Sequence, residues 1–160
     1  MRTPVPSPER KALEVAVTHG CCGLPDPRTC LPAGHCLSGA RIRHLLESDW
    51  IVVTEGSIAV GLAAYKCAAS DVRVVHEWLV DRTLAPCDAA TVTDAMLSAV
   101  EIVAHDHHIS CLMFLICGAV AVTPFEQRGY TAIVVDPGGV WVQKKLDRLG
   151  WASIRSEHPQ

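Results

Sequence analysis

At 160 residues and 17.2 kDa the chain suits one domain, of a size that buries roughly 70% of the surface its unfolded form exposes. Hydrophobic residues make up 49% and charged residues 19%, a balance that excludes a disordered chain and favours a packed globule. A formal net charge of -3 excludes any general attraction to phosphate backbones or anionic lipid, so neither nucleic acid nor a membrane surface is an expected partner.

The start, Met1-Arg2-Thr3-Pro4-Val5-Pro6-Ser7-Pro8, has no apolar signal-peptide core, and no later stretch reads as a membrane span, so a soluble cytoplasmic protein is expected. Residues 1–10 read as a flexible N-terminal arm, 11–150 as a single domain and 151–160 as a C-terminal tail. Leu13, Val15 and Val17 alternate with Glu14, Ala16 and Thr18, the period of a strand with one buried face. Glycines, prolines and cysteines interrupt any periodicity from Gly20 to Gly34, and Ala40 to Glu47 is a short amphipathic helix after Ser38-Gly39.

Trp50 to Thr54, Ser57 to Tyr65 and Asp71 to Asp81 read as an antiparallel meander. After Pro86 the residues Val92, Ala95, Met96, Ala99, Val100 and Val103 keep helical spacing, with Asp88 placed as N-cap. Cys111 to Cys117 is an apolar run expected to be buried on both faces and parallel to the strand before the helix. A short helical turn, Pro124 to Arg128, ends at Gly129, and a hairpin joins Tyr130–Val135 to Val140–Lys145 around Asp136-Pro137-Gly138-Gly139. The result is an α/β (α+β) domain: a mixed, mostly antiparallel sheet with a crossover helix between the fourth and fifth strands.

Of the eight cysteines, Cys67, Cys87, Cys111 and Cys117 lie in apolar or helical stretches as small hydrophobes, and most thiols are expected reduced. His19, Cys21, Cys22, Cys30, His35 and Cys36 are metal-ligand types, but their spacing is irregular and lacks a Cys-x-x-Cys pair, so no metal is expected. His105, Asp106, His107 and His108 end the long helix and suit a capping role.

This order of elements is similar to that of the GNAT superfamily of N-acetyltransferases over about residues 12–146. Val74-Val75-His76-Glu77-Trp78-Leu79-Val80-Asp81 resembles the family's fourth strand, and Thr123-Pro124-Phe125-Glu126-Gln127-Arg128-Gly129-Tyr130 resembles its short fourth helix. Trp50-Ile51-Val52-Val53 and Ile58-Ala59-Val60-Gly61-Leu62-Ala63 resemble its second and third strands. The resemblance implies acetyl-CoA as co-substrate, its pantetheine paired with the strand edge at Leu79 and Val80. It places the pyrophosphate on the loop before the long helix, over Asp88, Ala89, Ala90, Thr91 and Thr93, with Phe125 close to the cofactor. There the family carries Arg or Gln and two small residues, whereas this chain aligns Asp88, Thr91 and Thr93. An Asp88 cap would fill the anion site with the protein's own charge.

Acyl transfer to an amine needs a base, and Glu77 is the candidate, on a strand face shared by parity with Arg73, Val75, Leu79 and Asp81; the structural alternative is a solvated strand glutamate or an ion pair with Arg73. His76 is expected on the opposite face. Phe125 stands where many members carry an acidic Tyr, leaving Cys117, Tyr130 or water to protonate the leaving thiolate. Two functions stay open: an N-acetyltransferase acting on a small-molecule amine or peptide, or a GNAT-fold binding module without turnover. A homodimer is compatible with either.

Overall fold

A computed structural model describes residues 11–18, 27–117 and 120–146. The strands are β1 (Leu13–Thr18), β2 (Asp49–Glu55), β3 (Ile58–Ala69), β4 (Val72–Val80), β5 (Cys111–Ile116), β6 (Thr131–Asp136) and β7 (Gly139–Lys145). A 3-10 turn at Pro27–Cys30 precedes α1 (Gly39–Leu46), α2 (Pro86–Asp106) crosses from β4 to β5, and α3 (Thr123–Gln127) leads into β6.

One seven-stranded sheet runs in the order β1-β2-β3-β4-β5-β7-β6. Every neighbouring pair is antiparallel except β4 and β5, which pair in parallel over Val72–Val75 and Cys111–Phe114. The parallel pair is what a helical crossover between two apolar strands requires.

Alternation along β2 and β3 divides the interior into two layers. Ile51, Val53, Ala63 and Tyr65 meet Val92, Met96, Leu97 and Val100 of α2, while Trp50, Val52, Leu62 and Ala64 meet Leu45 of α1. Gly61 sets the closeness of α2, since a Cβ there would lie 2.6 Å from Met96 Sδ and 2.8 Å from Val92 Cγ1. A helix seated that near leaves no room for any side chain at this step of β3.

Several expectations change. Val15 and Val17 are 45% and 40% exposed, because β1 is an edge strand that reaches the core mainly through Leu13. β5 buries only alternate residues, Leu112, Phe114 and Ile116. β3 runs on to Ala69, beyond Tyr65 where it was expected to end. Cys67, Cys87 and Cys117 are exposed rather than packed, and all six described cysteines are unbridged. α2 begins at Pro86 with Ala85 as N-cap and no side-chain cap, so Asp88 sits inside the first turn and does not cap it. The other end closes through His108, which takes a positive φ of 57° as the left-handed residue that terminates a helix. No described helix is long and apolar enough to cross a membrane.

Candidate active site

The site begins where β4 and β5 stop pairing. Their ladder ends at Val75 and Phe114, so residues 76–80 of β4 have a side without a partner strand. At the same level the β3–β4 register slips, Ala64 opposing Glu77 while Tyr65 opposes Val75, which leaves His76 as the bulged residue.

The bulge reverses the parity that the sequence implied. Val75 and Trp78 both face α2, whereas Leu79 joins the α1 layer, and Glu77 turns toward α1 with it. Arg73 stays on the other side of the slip. Its guanidinium approaches Asp49 at 3.5 Å, donates to His107 Nδ1 at 2.8 Å and lies over the Tyr65 ring. Burial near Asp49 pushes the Tyr65 hydroxyl up to about 12, so it titrates nowhere near neutrality.

Glu77 is held instead by Arg41 of α1, a residue the sequence did not single out. Arg41 Nε donates to Glu77 Oε1 at 2.7 Å and Nη2 to Oε2 at 2.5 Å, a two-bond fork on a carboxylate that is 8% exposed. That hydrogen bond, with Glu77's charge, raises the Arg41 pKa against the opposing effect of burial. Half of the Arg41 side chain remains in solvent. Ser38, the N-cap of α1, accepts from the Arg41 amide and so fixes the turn that carries the side chain.

His76 also faces α1, contrary to expectation, because the bulge brings it to the same side as Glu77. Its Nε2 lies 2.8 Å from Ser48 Oγ, whose single proton is donated to the His44 carbonyl at 2.7 Å. Ser48 must therefore accept from His76 Nε2–H, leaving Nδ1 as the nitrogen with a lone pair. Burial lowers the His76 pKa, Glu77 opposing and Lys66, His44 and Arg41 adding to the shift. A neutral imidazole thus sits beside the carboxylate, with the His44 ring 5.6 Å away and Lys66 Nζ bonded to His44 Nδ1 at 2.9 Å.

The open side of β4 is not bare. Asp81 N–H donates to Val60 O on β3, so by strand alternation the polar groups of Val80 and Arg82 point the other way, to the unpaired side. His35 Nε2 donates to Val80 O at 2.7 Å, and Arg82 N–H donates to Ala33 O at 3.1 Å. Between them Gly34 has φ +84°, and a Cβ there would come within 2.9 Å of Arg82 Cβ. Residues 33–35 therefore lie along the edge that pantetheine was expected to take.

The phosphate end differs from expectation as well. Asp88, Ala89, Ala90, Thr91 and Thr93 all lie within α2 rather than in a loop before it. Thr93 is buried, and Thr91 donates its hydroxyl to Cys87 O at 3.0 Å. Pro86 at the first turn removes one amide donor, and Asp88 adds negative charge at that end, accepting from the Cys87 thiol at 3.4 Å. The preceding loop is shaped by Asp81, whose Oδ1 accepts from Thr83 N–H and Oγ1–H at 2.7 and 2.6 Å.

Phe125 is wholly buried in edge-to-face contact with Trp78, Phe114 and Tyr130, so it shapes the wall and reaches no solvent. Tyr130 donates to Glu101 Oε1 at 3.0 Å, and burial with that carboxylate raises its pKa strongly, which removes it as a proton source. Cys117 is exposed just past β5 and close enough to Arg41 to affect it electrostatically. Among the described residues no three His, Cys, Asp or Glu side chains converge as metal ligands; His19, Cys21 and Cys22 lie outside those residues.

No family model and no curated protein matches the chain. Solved structures do. A GNAT family acetyltransferase from Elizabethkingia anophelis with acetyl-CoA bound aligns over 82% of this chain and 98% of its own, with TM-score 0.63 and 11% identity. The N-acetylglutamate synthase of Neisseria gonorrhoeae, complexed with coenzyme A and N-acetyl-glutamate, aligns over 86% of this chain with TM-score 0.59 and 15% identity, this chain spanning 36% of that protein. The PaiA N-acetyltransferase from Thermoplasma acidophilum, in complex with coenzyme A, aligns over 67% of this chain and 66% of its own, with TM-score 0.53 and 13% identity. With the parallel β4–β5 pair, the crossover helix and the parted strands, these alignments show that the chain has the fold of the GNAT acetyltransferases.

Proposed function

We propose that the protein is an N-acetyltransferase that moves an acetyl group from acetyl-CoA to an amine, a small molecule or a peptide, in the cytoplasm. The observation that carries this reading is Glu77, a buried carboxylate at the point where β4 and β5 part, on a side of the sheet shared with His76 and Arg41. The unpaired β4 edge suits the amide groups of a pantetheine arm once His35 withdraws from Val80; the start of α2, with Pro86 and Asp88, suits a pyrophosphate less well. Leu79 and Val80 are the proposed contacts for the arm, and Ala89, Ala90 and Thr91 the proposed surface for the phosphates.

In the transfer, Glu77 takes one proton from the acceptor ammonium. The freed amine nitrogen bonds to the thioester carbonyl carbon, the carbon–sulfur bond breaks with its electron pair on sulfur, and the thiolate takes the second proton lost by nitrogen. With Phe125 buried and Tyr130 bonded to Glu101, that proton passes through water or the exposed Cys117. Glu77→Gln is expected to lower thiol release with an accepted amine by roughly 100-fold while leaving acetyl-CoA affinity nearly unchanged. A rate unaltered by the substitution would remove Glu77 from the mechanism.

The segment at residues 33–35 favours a second reading, a binding module without turnover. A chain that bonds its own segment to Val80 O and Arg82 N–H offers less of that strand edge to a ligand. Calorimetry with acetyl-CoA separates the two: micromolar binding supports the enzyme, and none at millimolar concentration supports the module.

A further inference from the structure

Each oxygen of Glu77 accepts one bond from the Arg41 fork, so the guanidinium stabilises the charged carboxylate and weakens it as a base until Arg41 is given another anion. An ammonium ion approaching Glu77 would also meet the Arg41 charge, since the guanidinium is half exposed beside it. Arg41 Nη1 makes no hydrogen bond among the described residues, leaving donors available on the side away from the carboxylate. Lys66 reinforces the positive charge on this side of the sheet, and the other carboxylate there, Glu47, lies 3.6 Å from it. A simple amine has nothing to offer such a site.

We infer that the acceptor is an α-amino acid or a close relative, an amine whose own carboxylate is one carbon away, and that Arg41 is the residue that selects it. The Arg41–Glu77 pair is the charge complement of a zwitterion. The incoming carboxylate replaces Glu77 on the guanidinium fork, which conserves the charge-assisted bonds of Arg41, and the ammonium settles on the released Glu77. One exchange thus orients the amine and frees the base, whereas an amine with an uncharged neighbouring group leaves the pair closed.

This inference rests on the acetyltransferase reading, and the test keeps the two apart. Pooled α-amino acids and the matching pool of amino acid amides are offered with acetyl-CoA while thiol release is followed. The acids are expected to react at least about tenfold faster than the amides, with Arg41→Gln losing that preference and Arg41→Lys keeping part of it. Amides reacting as well as acids would overturn the selection by Arg41 and leave the acetyltransferase intact. If nothing is acetylated the enzyme reading falls, and binding then decides the inference by itself: amino acids without acetyl-CoA should shift the Arg41 side-chain Nε–H resonance at millimolar concentration, amides should not, and no shift would overturn it. Because Arg41→Gln leaves Glu77 buried without a partner, its fold is checked by circular dichroism, and if it is unfolded the Arg41→Lys variant, which keeps the positive charge but not the fork, carries the test: an undiminished preference for acids in it would overturn the selection by the Arg41 fork.

Discussion

Single atoms decide which groups around the cleft can carry protons. Tyr130 keeps its proton because it is buried and donates to Glu101, whose carboxylate also receives Lys144 Nζ at 3.2 Å and Arg128 Nη1 at 3.2 Å. Tyr130→Phe should cost about 1 kcal/mol of stability, the value of one such bond with its acceptor otherwise satisfied, and leave the acetylation rate unchanged. A rate loss beyond threefold, in a folded variant, would restore Tyr130 as the acid. For His76 the sign follows from burial. Its folded pKa lies below the ordinary 6.5, so below pH 6.5 the unfolded chain binds a proton that the folded chain refuses, and stability drops as the pH falls through that window. The urea midpoint of the wild type should fall more steeply between pH 7.5 and 5.5 than that of His76→Gln; equal slopes would contradict the assignment.

At the scale of elements the short segment ahead of α1 governs access to β4. His35 and Ala33 bond Val80 O and Arg82 N–H, and a ligand that pairs with those two groups must displace them. His35→Ala removes one bond of that contact and keeps the rest, so acetyl-CoA should bind several-fold tighter than to the wild type, on the scale of about 1 kcal/mol. Weaker binding would mean that His35 assists the ligand rather than competing with it. The segment's part in the site was hidden in the sequence, where Gly20 to Gly34 follows no period. Only Gly34, with its positive φ against Arg82, betrays the contact, and a lone glycine in a glycine-rich stretch cannot announce it.

Across the whole molecule the two outermost strands differ from the rest of the sheet. β1 exposes Val15 and Val17, and β6 exposes all six residues, among them Ile133 at 41%, Val134 at 52% and Val135 at 76%. An apolar edge strand without a covering element favours pairing with another chain. The protein should therefore sediment as a dimer at micromolar concentration, and Val134→Lys should shift it to monomer without altering its circular dichroism. A wild type that stays monomeric at high concentration would reject β6 as the contact.

The sequence by itself determined the elements and their order, since the apolar runs Trp50 to Thr54 and Ser57 to Tyr65 broken at Glu55-Gly56, and the helical spacing from Val92 to Val103, are local signals that tertiary packing had no cause to override. Its resemblance over Val74 to Asp81 to the GNAT fourth strand singled out Glu77 as the candidate base. Which groups Glu77 meets was decided by the fold: a one-residue slip at His76 changes the side that every later residue of β4 faces, and neither slip nor partner is encoded in any short window. Arg41 lies 36 positions away and reads as an ordinary helix cation until α1 is laid over β4. The start of α2 moved for a related reason, because Pro86 is favoured in a first turn and drew the helix back past Asp88, turning an expected cap into an interior residue.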